Sequence, residues 1–542
     1  MPMKTILKHL SSMATPQSSP LPGREAEMVC NEAGGYTFPV DKWVRLDRFL
    51  ILGSEGGAYY ATERQLTRES ARGVESCLEE DGERTVERIA SVSESGRAPK
   101  NDPALLALAI AAKQGNDATR KAAFAALPRV ARTSTHLFAF AEAVTQLGGW
   151  GRGTRRAVAD WYRSRDLDAL SYQAVKYRQR NGWTHADMLR LAHPKPPSTD
   201  YDMLFRWIVR GDVPNDASRL QLLEGFSRVR EAASARSAAQ LVSEYRLPRE
   251  AVPTGYLDTT EVWEALLPEM PITAMIRNLA TMTRVGLLTP GAQATKTIIE
   301  RLGDEVRLHQ ARVHPMAVLI ALRTYASGRG LRGHSTWNPV QRIVDALDAA
   351  FYSTFANVEP TGQRLLVSVD CSGSMMQGAV AGVVGLTPRE AAAAMALIAL
   401  RSEPNAEVLG FTVNVKNLRI SPRHRLDEVM KAIGAVAQGE GTDCSLPMRW
   451  ATARKADFDA FTIYTDGQTW AGPQHPIQAV AAYRSARVSA SKMVSVAFVG
   501  YRSSVVDGSD VGMLDVVGFD TAAPAVIADF LKAALPQRPA AA

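Results

Sequence analysis

The sequence predicts a long array of irregular helical hairpins followed by a doubly wound, parallel α/β domain. Three observations predict it. Ala/Leu-rich runs fill the chain from about Lys42 to Phe355, broken by Pro, Gly or Asn about every 12 to 20 residues, a length that suits antiparallel helix pairs. At Glu359-Pro360-Thr361-Gly362 the character changes, and apolar β-branched runs begin to alternate with helical ones, as in parallel strands covered by helices on both faces. Finally, 542 residues with 46% hydrophobic and 22% charged side chains are too many for one core and too apolar for wholesale disorder. The length alone would fit three or four domains of about 150 residues, or an extended repeat plus a compact domain.

Residues 1–30 are rich in Ser, Pro and Met and are expected to form a mobile tail. Residues 31–360 form the expected helical region. Pro103–Lys113, Arg120–Leu127, Leu137–Leu147 and Val262–Leu267 are its plainest helical runs, and no fixed-period repeat accompanies them, so the hairpins are irregular. Residues 361–542 are assigned to the α/β domain. Its expected order is a strand at Arg364–Val369, a helix near Arg389–Arg401 and a strand at Glu407–Val413. A helix near Leu426–Val436, strands at Ala460–Tyr464 and Met493–Val499, and a last helix at Ala523–Leu535 follow.

Several classes are disfavoured. The four cysteines, Cys30, Cys77, Cys371 and Cys444, have neither C-x-x-C nor finger spacing and read as reduced thiols of an intracellular protein. The N-terminus lacks a continuous apolar h-region, and no apolar run reaches the roughly 18–20 residues of a membrane helix. A cytoplasmic location is expected. There is no GxxxxGK[ST] loop, no HExxH and no credible Ser/His/Asp set, so nothing in the residues argues for catalysis.

Charge is unevenly placed. The formal net charge is +7, from 63 Lys and Arg against 56 Asp and Glu. From Thr361 to Ala542 the balance is only 17 against 16, whereas Arg152 to Lys195 holds ten basic and four acidic residues. Within that stretch lies KYRQRNGWTHADMLRLAH, where Lys176, Arg178 and Arg180 are interleaved with Tyr177, Trp183 and His185. Phosphate-binding charge beside aromatic surface is what RNA loops and single strands require. Thr184 and Asp187 read as a helix N-cap and its capping-box partner. That places His185 in the first turn, where free N–H groups favour a phosphate. Met188, Leu189, Leu191 and Ala192 are the expected buried face. Arg129, Arg132, Arg152, Arg155 and Arg156 join the candidate RNA-binding residues on charge alone. A solvated face is the competing reading of the same arginines.

The first strand of the α/β domain, LLVSVD, runs into Cys371-Ser372-Gly373-Ser374-Met375. Gly439-Glu440-Gly441-Thr442-Asp443, before a helix, and Tyr464-Thr465-Asp466-Gly467, after a strand, occupy comparable positions. Hydroxyls with two carboxylates make an all-oxygen set suited to Mg²⁺. D-x-S-G-S, then G-T-D and T-D-G in that order, resemble the metal-ion-dependent adhesion site of von Willebrand factor A domains. The resemblance implies that Asp370, Ser372, Ser374, Thr442 and Asp466 hold the ion. Gln468 departs from the pattern, since many relatives carry an acidic residue there.

GGYTFPVDKWVRLDRFLILGSEGGAYY (34–60), KYRQRNGWTHADMLRLAHPKP (176–196), EVWEALLPEMPITAMIRNLATMT (261–283), ALRTYASGRGLRGHSTWNP (321–339) and DALDAAFYSTFANVEPTG (345–362) resemble the Ro autoantigen family, whose helical part is the TROVE module. The likeness runs over nearly the whole chain from about Gly34. It implies an α-helical HEAT-like repeat ring closed by a Rossmann-like von Willebrand factor A domain. It further implies Y RNA on a basic outer surface that includes Lys176, Arg178, Arg180 and His185, with single-stranded ends of misfolded RNA in a central hole. The family's RNA quality control and stress survival roles, and an exoribonuclease partner such as polynucleotide phosphorylase, are implied in the same way, as is a ring that is monomeric without RNA. The expectation is a non-enzymatic RNA-binding protein, with a Mg²⁺-dependent protein-adhesion scaffold as the alternative.

Overall fold

The computed structural model describes residues 14–31, 33–39, 42–52, 72–94, 101–212, 220–330, 335–377, 380, 386–437, 441–498, 503–517 and 523–532. Residues 1–13 of the expected tail, Gly439 and Glu440 beside Thr442, Val499 of the sixth expected element, and 533–535 of the last helix lie outside the described residues. The chain divides into two compact units. One is Met1–Ser70, His314–Arg323 and Phe351–Ala542; the other is Ala71–Val313 and Thr324–Ala350.

In the first unit, β1 (Val29–Cys30) and β2 (Tyr36–Pro39) form an antiparallel hairpin. The expected mobile tail is corrected here for residues 14–30, which are packed. Gln17 is fully buried, and Leu21, Met28 and Phe38 form a small core joined by Ile477. A Ser/Pro-rich composition reads as a tail, yet these residues find partners more than 400 positions away. By compactness, His314–Arg323 and the stretch from Phe351 group with the α/β domain.

The second unit is helical, and many of its helices pack on helices one or two places away in the chain. Gly82–Glu94 contacts both Asp102–Gln114 and Asp117–Val130, and Asp102–Gln114 contacts Ser134–Gln146. Alanines make this close approach possible: Ala104, Ala107, Ala109, Ala111, Ala123 and Ala141 are buried with Leu105, Leu108, Leu127 and Leu137. The expected helices are present, each bounded within a few residues of its sequence pattern. An addition is the hairpin β3 (Gln179–Arg180) and β4 (Trp183–Thr184). Its two-residue turn is Asn181-Gly182, at φ of 53° and 81°. A type I′ connection requires positive φ at both positions, which Asn-Gly accepts at least cost.

The α/β domain carries β5 (Leu365–Asp370), β6 (Ala406–Phe411), β7 (Val415–Lys416), β8 (Ala460–Thr465), β9 (Lys492–Ala497), β10 (Ser503–Ser504) and β11 (Met513–Val517). The six-stranded sheet has the order β11-β9-β8-β5-β6-β7. It is parallel except for β7, while β10 pairs with β2. Strands β5, β8 and β9 are buried at every residue, as expected of strands covered on both faces. Pro388–Ser402, Leu426–Val436, Leu446–Arg454, Pro476–Arg487 and Ala523–Lys532 are the domain's helices. The chain leaves β5 toward β6 and later returns to place β8 on its other side. The strand order therefore reverses between β5 and β8, and their carboxyl ends frame the crevice where such folds bind ligands.

Candidate nucleic-acid interface and metal centre

The basic stretch folds as the helix Leu167–Lys176, the Asn-Gly hairpin and the helix His185–Ala192. Thr184 caps the last of these: its hydroxyl accepts from the Asp187 amide, and Asp187 accepts in return from the Thr184 amide. Met188 and Leu189 are buried, Leu191 and Ala192 half-buried, and Arg190 exposed.

Lys176, Arg178 and His185 line one cleft of about 1110 Å³. Arg230 and Arg249 enter the same cleft from later helical segments, and Glu231 and Glu250 are its carboxylates. Aromatic rings hold the cations in place. Arg178 and Arg230 both lie over the Phe226 ring, at 5.1 and 5.4 Å from its centroid, and Arg249 lies 5.6 Å from the Trp263 ring. The Lys176 ammonium donates to the Tyr172 hydroxyl at 3.2 Å and sits 5.4 Å from the Tyr177 ring. Burial pulls the Arg178 guanidinium below its ordinary range, and the charge of Arg230 acts in the same direction. Two like charges sharing one ring are relieved by an anion between them.

His185 lies in the first helical turn, as its sequence position implies, but its ring is buried. It is only 4% exposed, forming the cleft's floor. Its Nδ1 is 2.7 Å from the Tyr162 hydroxyl, and Phe138 packs edge-on at 5.0 Å. The buried Nε2 has no hydrogen-bond partner. Burial pushes the imidazole pKa down to about 4, against the opposing effect of the Gln173 and Tyr177 carbonyls. At neutral pH it is an uncharged ring, so it offers no positive charge to a phosphate.

The other candidates separate by their partners. Arg129 is held by Glu87 at 2.8 Å and Glu94 at 2.7 Å, so its charge is more than cancelled locally. Arg132 donates to the Ser93 carbonyl at 2.6 Å and hydroxyl at 2.8 Å and is structural. Arg180 pairs with Asp102 at 3.0 Å, and Trp183 stacks on Trp150 while donating to Glu142 at 2.7 Å. Arg152, Arg155 and Arg156 are exposed on the helix Arg152–Arg163, outside the cleft lining. Arg230 and Arg249 were not marked by the sequence, because nothing local distinguishes them from other surface arginines; only the fold brings them opposite Lys176 and Arg178.

In the α/β domain, Asp370 ends β5 and Asp466 follows β8, on the two sides of the crevice. Asp370 is fully buried. Its Oδ1 accepts from the Ser372 amide at 2.8 Å and its Oδ2 from the Thr465 hydroxyl at 2.9 Å. The Ser372 and Ser374 hydroxyls are 3.0 Å apart, and Thr442 and Asp466 are each 3% exposed. Burial raises the Asp370 carboxyl well above the usual carboxylate range, and the nearby Asp466 charge adds to the rise. Two buried carboxylates with three hydroxyl residues are a costly arrangement for an apo loop and a favourable one around a hard cation. Asp443 serves the scaffold instead: Oδ1 accepts from the Ser445 amide at 2.9 Å and Oδ2 from Arg449 at 3.1 Å.

A helical stack with a ring-backed cationic cleft, in one chain with a sheet bearing D-x-S-x-S at its switch point, defines proteins that combine TROVE and von Willebrand A domains. The TROVE domain family matches residues 29–324, and the Ro60 vWA domain family matches residues 364–531. The chain belongs to the Ro60 family. It is 44% identical to the RNA-binding protein RO60 of Deinococcus radiodurans over 98% of this chain and 99% of that protein. Identity to the RNA-binding protein RO60 of Caenorhabditis elegans is 34%, over 92% of this chain and 89% of that one. The crystal structure of the Deinococcus radiodurans RO (RSR) protein superposes with a TM-score of 0.77, covering 91% of this chain and 99% of that one.

Proposed function

We propose that this chain binds RNA, with Lys176, Arg178, Arg230 and Arg249 forming the phosphate-binding wall of the cleft. The observation that carries the reading is the pair of guanidiniums over one ring, Arg178 and Arg230 on Phe226, in a single cavity with two further cations. RNA is favoured over other anions because the half-buried Tyr177 and Trp207 line the same cleft, and ring surface open to a cleft accepts unstacked bases. The relatives' printed names, RNA-binding proteins, support the same class. Small structured noncoding RNA of the Y type is the proposed ligand of this surface, with Arg152, Arg155 and Arg156 as an outlying phosphate contact. Capture of single-stranded ends of misfolded RNA in a central hole, delivery to a partner exoribonuclease, and a role in stress survival complete the reading by family. The chain itself acts without catalysis, in the cytoplasm; no helix among the described residues is long and apolar enough to cross a membrane.

Asp370, Ser372, Ser374, Thr442 and Asp466 fit a Mg²⁺ ion, which would supply an electrophilic position for a partner's carboxylate or phosphate. Metal-dependent protein adhesion is a second reading, favoured by Val413 and Trp470, each 39% exposed and meeting beside Gly441 in the Thr442 loop.

The test is to sequence the RNA that co-purifies with the protein from its own cells. Small structured RNAs should be enriched and should disappear with Arg178→Ala/Arg230→Ala. Protein capture sensitive to EDTA, with no RNA in the purified sample, would replace this reading by the second.

A further inference from the structure

The loops bearing Thr442 and Asp466 are crossed by the N-terminal segment, residues 14–31 and 33–39. Gln17 is fully buried and its whole amide is used. Nε2 donates to Asp443 Oδ1 at 2.7 Å and to the Gln474 carbonyl at 2.9 Å, while Oε1 accepts from the Thr469 hydroxyl. That hydroxyl also accepts from the Cys444 amide at 3.1 Å. One glutamine therefore ties the residue after Thr442 to the residue three past Asp466. The backbone adds to the tie: the Gln17 amide donates to the Gly472 carbonyl at 2.9 Å. Asn31 Nδ2 donates to the Thr469 carbonyl at 2.9 Å, and the Ala33 amide to Gln468 Oε1 at 3.1 Å. Gly35 presses against the same loop so closely that a Cβ would lie 2.1 Å from the Thr469 carbonyl oxygen. Between themselves the two loops are joined at the Thr442 carbonyl, which accepts from the Trp470 and Ala471 amides at 3.0 and 3.2 Å and from the Thr469 hydroxyl at 3.3 Å; the strap braces this junction from outside.

We propose that this segment is a strap that sets the geometry of the metal centre, with Gln17 as its principal positioning residue and Asn31 and Gly35 as supports. The inference rests on the metal reading above. Gln17 touches no proposed ligand side chain; it acts through Asp443 and Thr469. Partners one shell out from a metal fix the direction of the ligands, and their loss costs about 10- to 100-fold in affinity. Elsewhere the strap is anchored independently, by Arg24 to Asp507 at 2.7 Å and by β2 pairing with β10, so loss of one amide leaves it in place.

Mn²⁺ binding to the full chain, followed by titration calorimetry and by the electron paramagnetic resonance of free Mn²⁺, tests the strap. Gln17→Leu keeps the volume and removes the hydrogen bonds; Gly35→Ala displaces the strap by sterics. Each should weaken Mn²⁺ about tenfold, while a single cooperative melt in EDTA shows that the variant, though less stable, is still folded. Arg24→Ala, remote from both loops, should bind as the native protein does. Native affinity in both Gln17→Leu and Gly35→Ala would overturn the strap's role and leave the metal reading standing. No Mn²⁺ binding by the native chain would overturn both.

Discussion

The cleft of the helical unit and the loops of the α/β domain solve opposite electrostatic problems. In the cleft, Arg178, Arg230 and Arg249 are exposed and Lys176 half-buried, all steadied by rings, so like charges gather where water and an incoming anion can reach them. In the loops, Asp370 and Asp466 are buried and steadied by backbone amides and hydroxyls, so like charges gather where little water remains. On the proposed reading, the first arrangement attracts a large polyanion over a wide surface and the second selects a small hard cation by shape. A ring-backed guanidinium tolerates loss of a neighbour, whereas a buried carboxylate set does not.

Removing one member of the buried set should therefore have the largest effect. Asp370→Ala is expected to lower Mg²⁺ or Mn²⁺ affinity about 100-fold or more, measured by calorimetry, while RNA affinity in EDTA is unchanged. Next comes the cleft: Arg178→Ala/Arg230→Ala should weaken RNA binding by roughly 10- to 100-fold at low salt, as two charge-assisted phosphate contacts are lost. An unchanged constant in a filter-binding series would remove Phe226 and its two arginines from the interface.

His185 sharpens the comparison through pH. Its folded-state pKa, lowered to about 4 by burial, lies below the ordinary value near 6.5. The unfolded chain thus binds the extra proton first, and the stability this buried neutral ring confers is present above about pH 6.5 and lost as pH falls toward 4. Thermal melts should show a smaller drop between pH 7 and pH 5 for His185→Gln than for the native chain. His136 and His314, also lowered to about 4 by burial, act in the same direction. The smallest effect is expected from Arg129→Ala, within about twofold in RNA affinity, because Glu87 and Glu94 already engage that charge.

Much of this was legible in the residues because its spacing is local. D-x-S-G-S at the end of an apolar strand, the Thr184–Asp187 cap and the strand–helix alternation after Gly362 each lie within a few positions of one another. The Asn181-Gly182 turn is an equally local signal for the hairpin, set within a largely helical pattern. What lay beyond reach depends on the fold. Arg230 joins Arg178 across about fifty residues, and Gln17 meets Asp443 at a separation of 426. Charge counting also ranked Arg129 and Arg132 as binding residues. Their carboxylate and carbonyl partners sit on the helix Gly82–Glu94, which a count of basic residues does not see.

The central claim is that phosphate contacts in the cleft drive RNA binding. Its most direct measurement is the slope of log affinity against log salt for a small structured RNA, compared between the native chain and Lys176→Ala/Arg178→Ala/Arg230→Ala. Losing three phosphate contacts should reduce the slope by about 2, at roughly 0.7 to 0.9 per contact. An identical slope in the two proteins would contradict the claim and move the RNA to another surface.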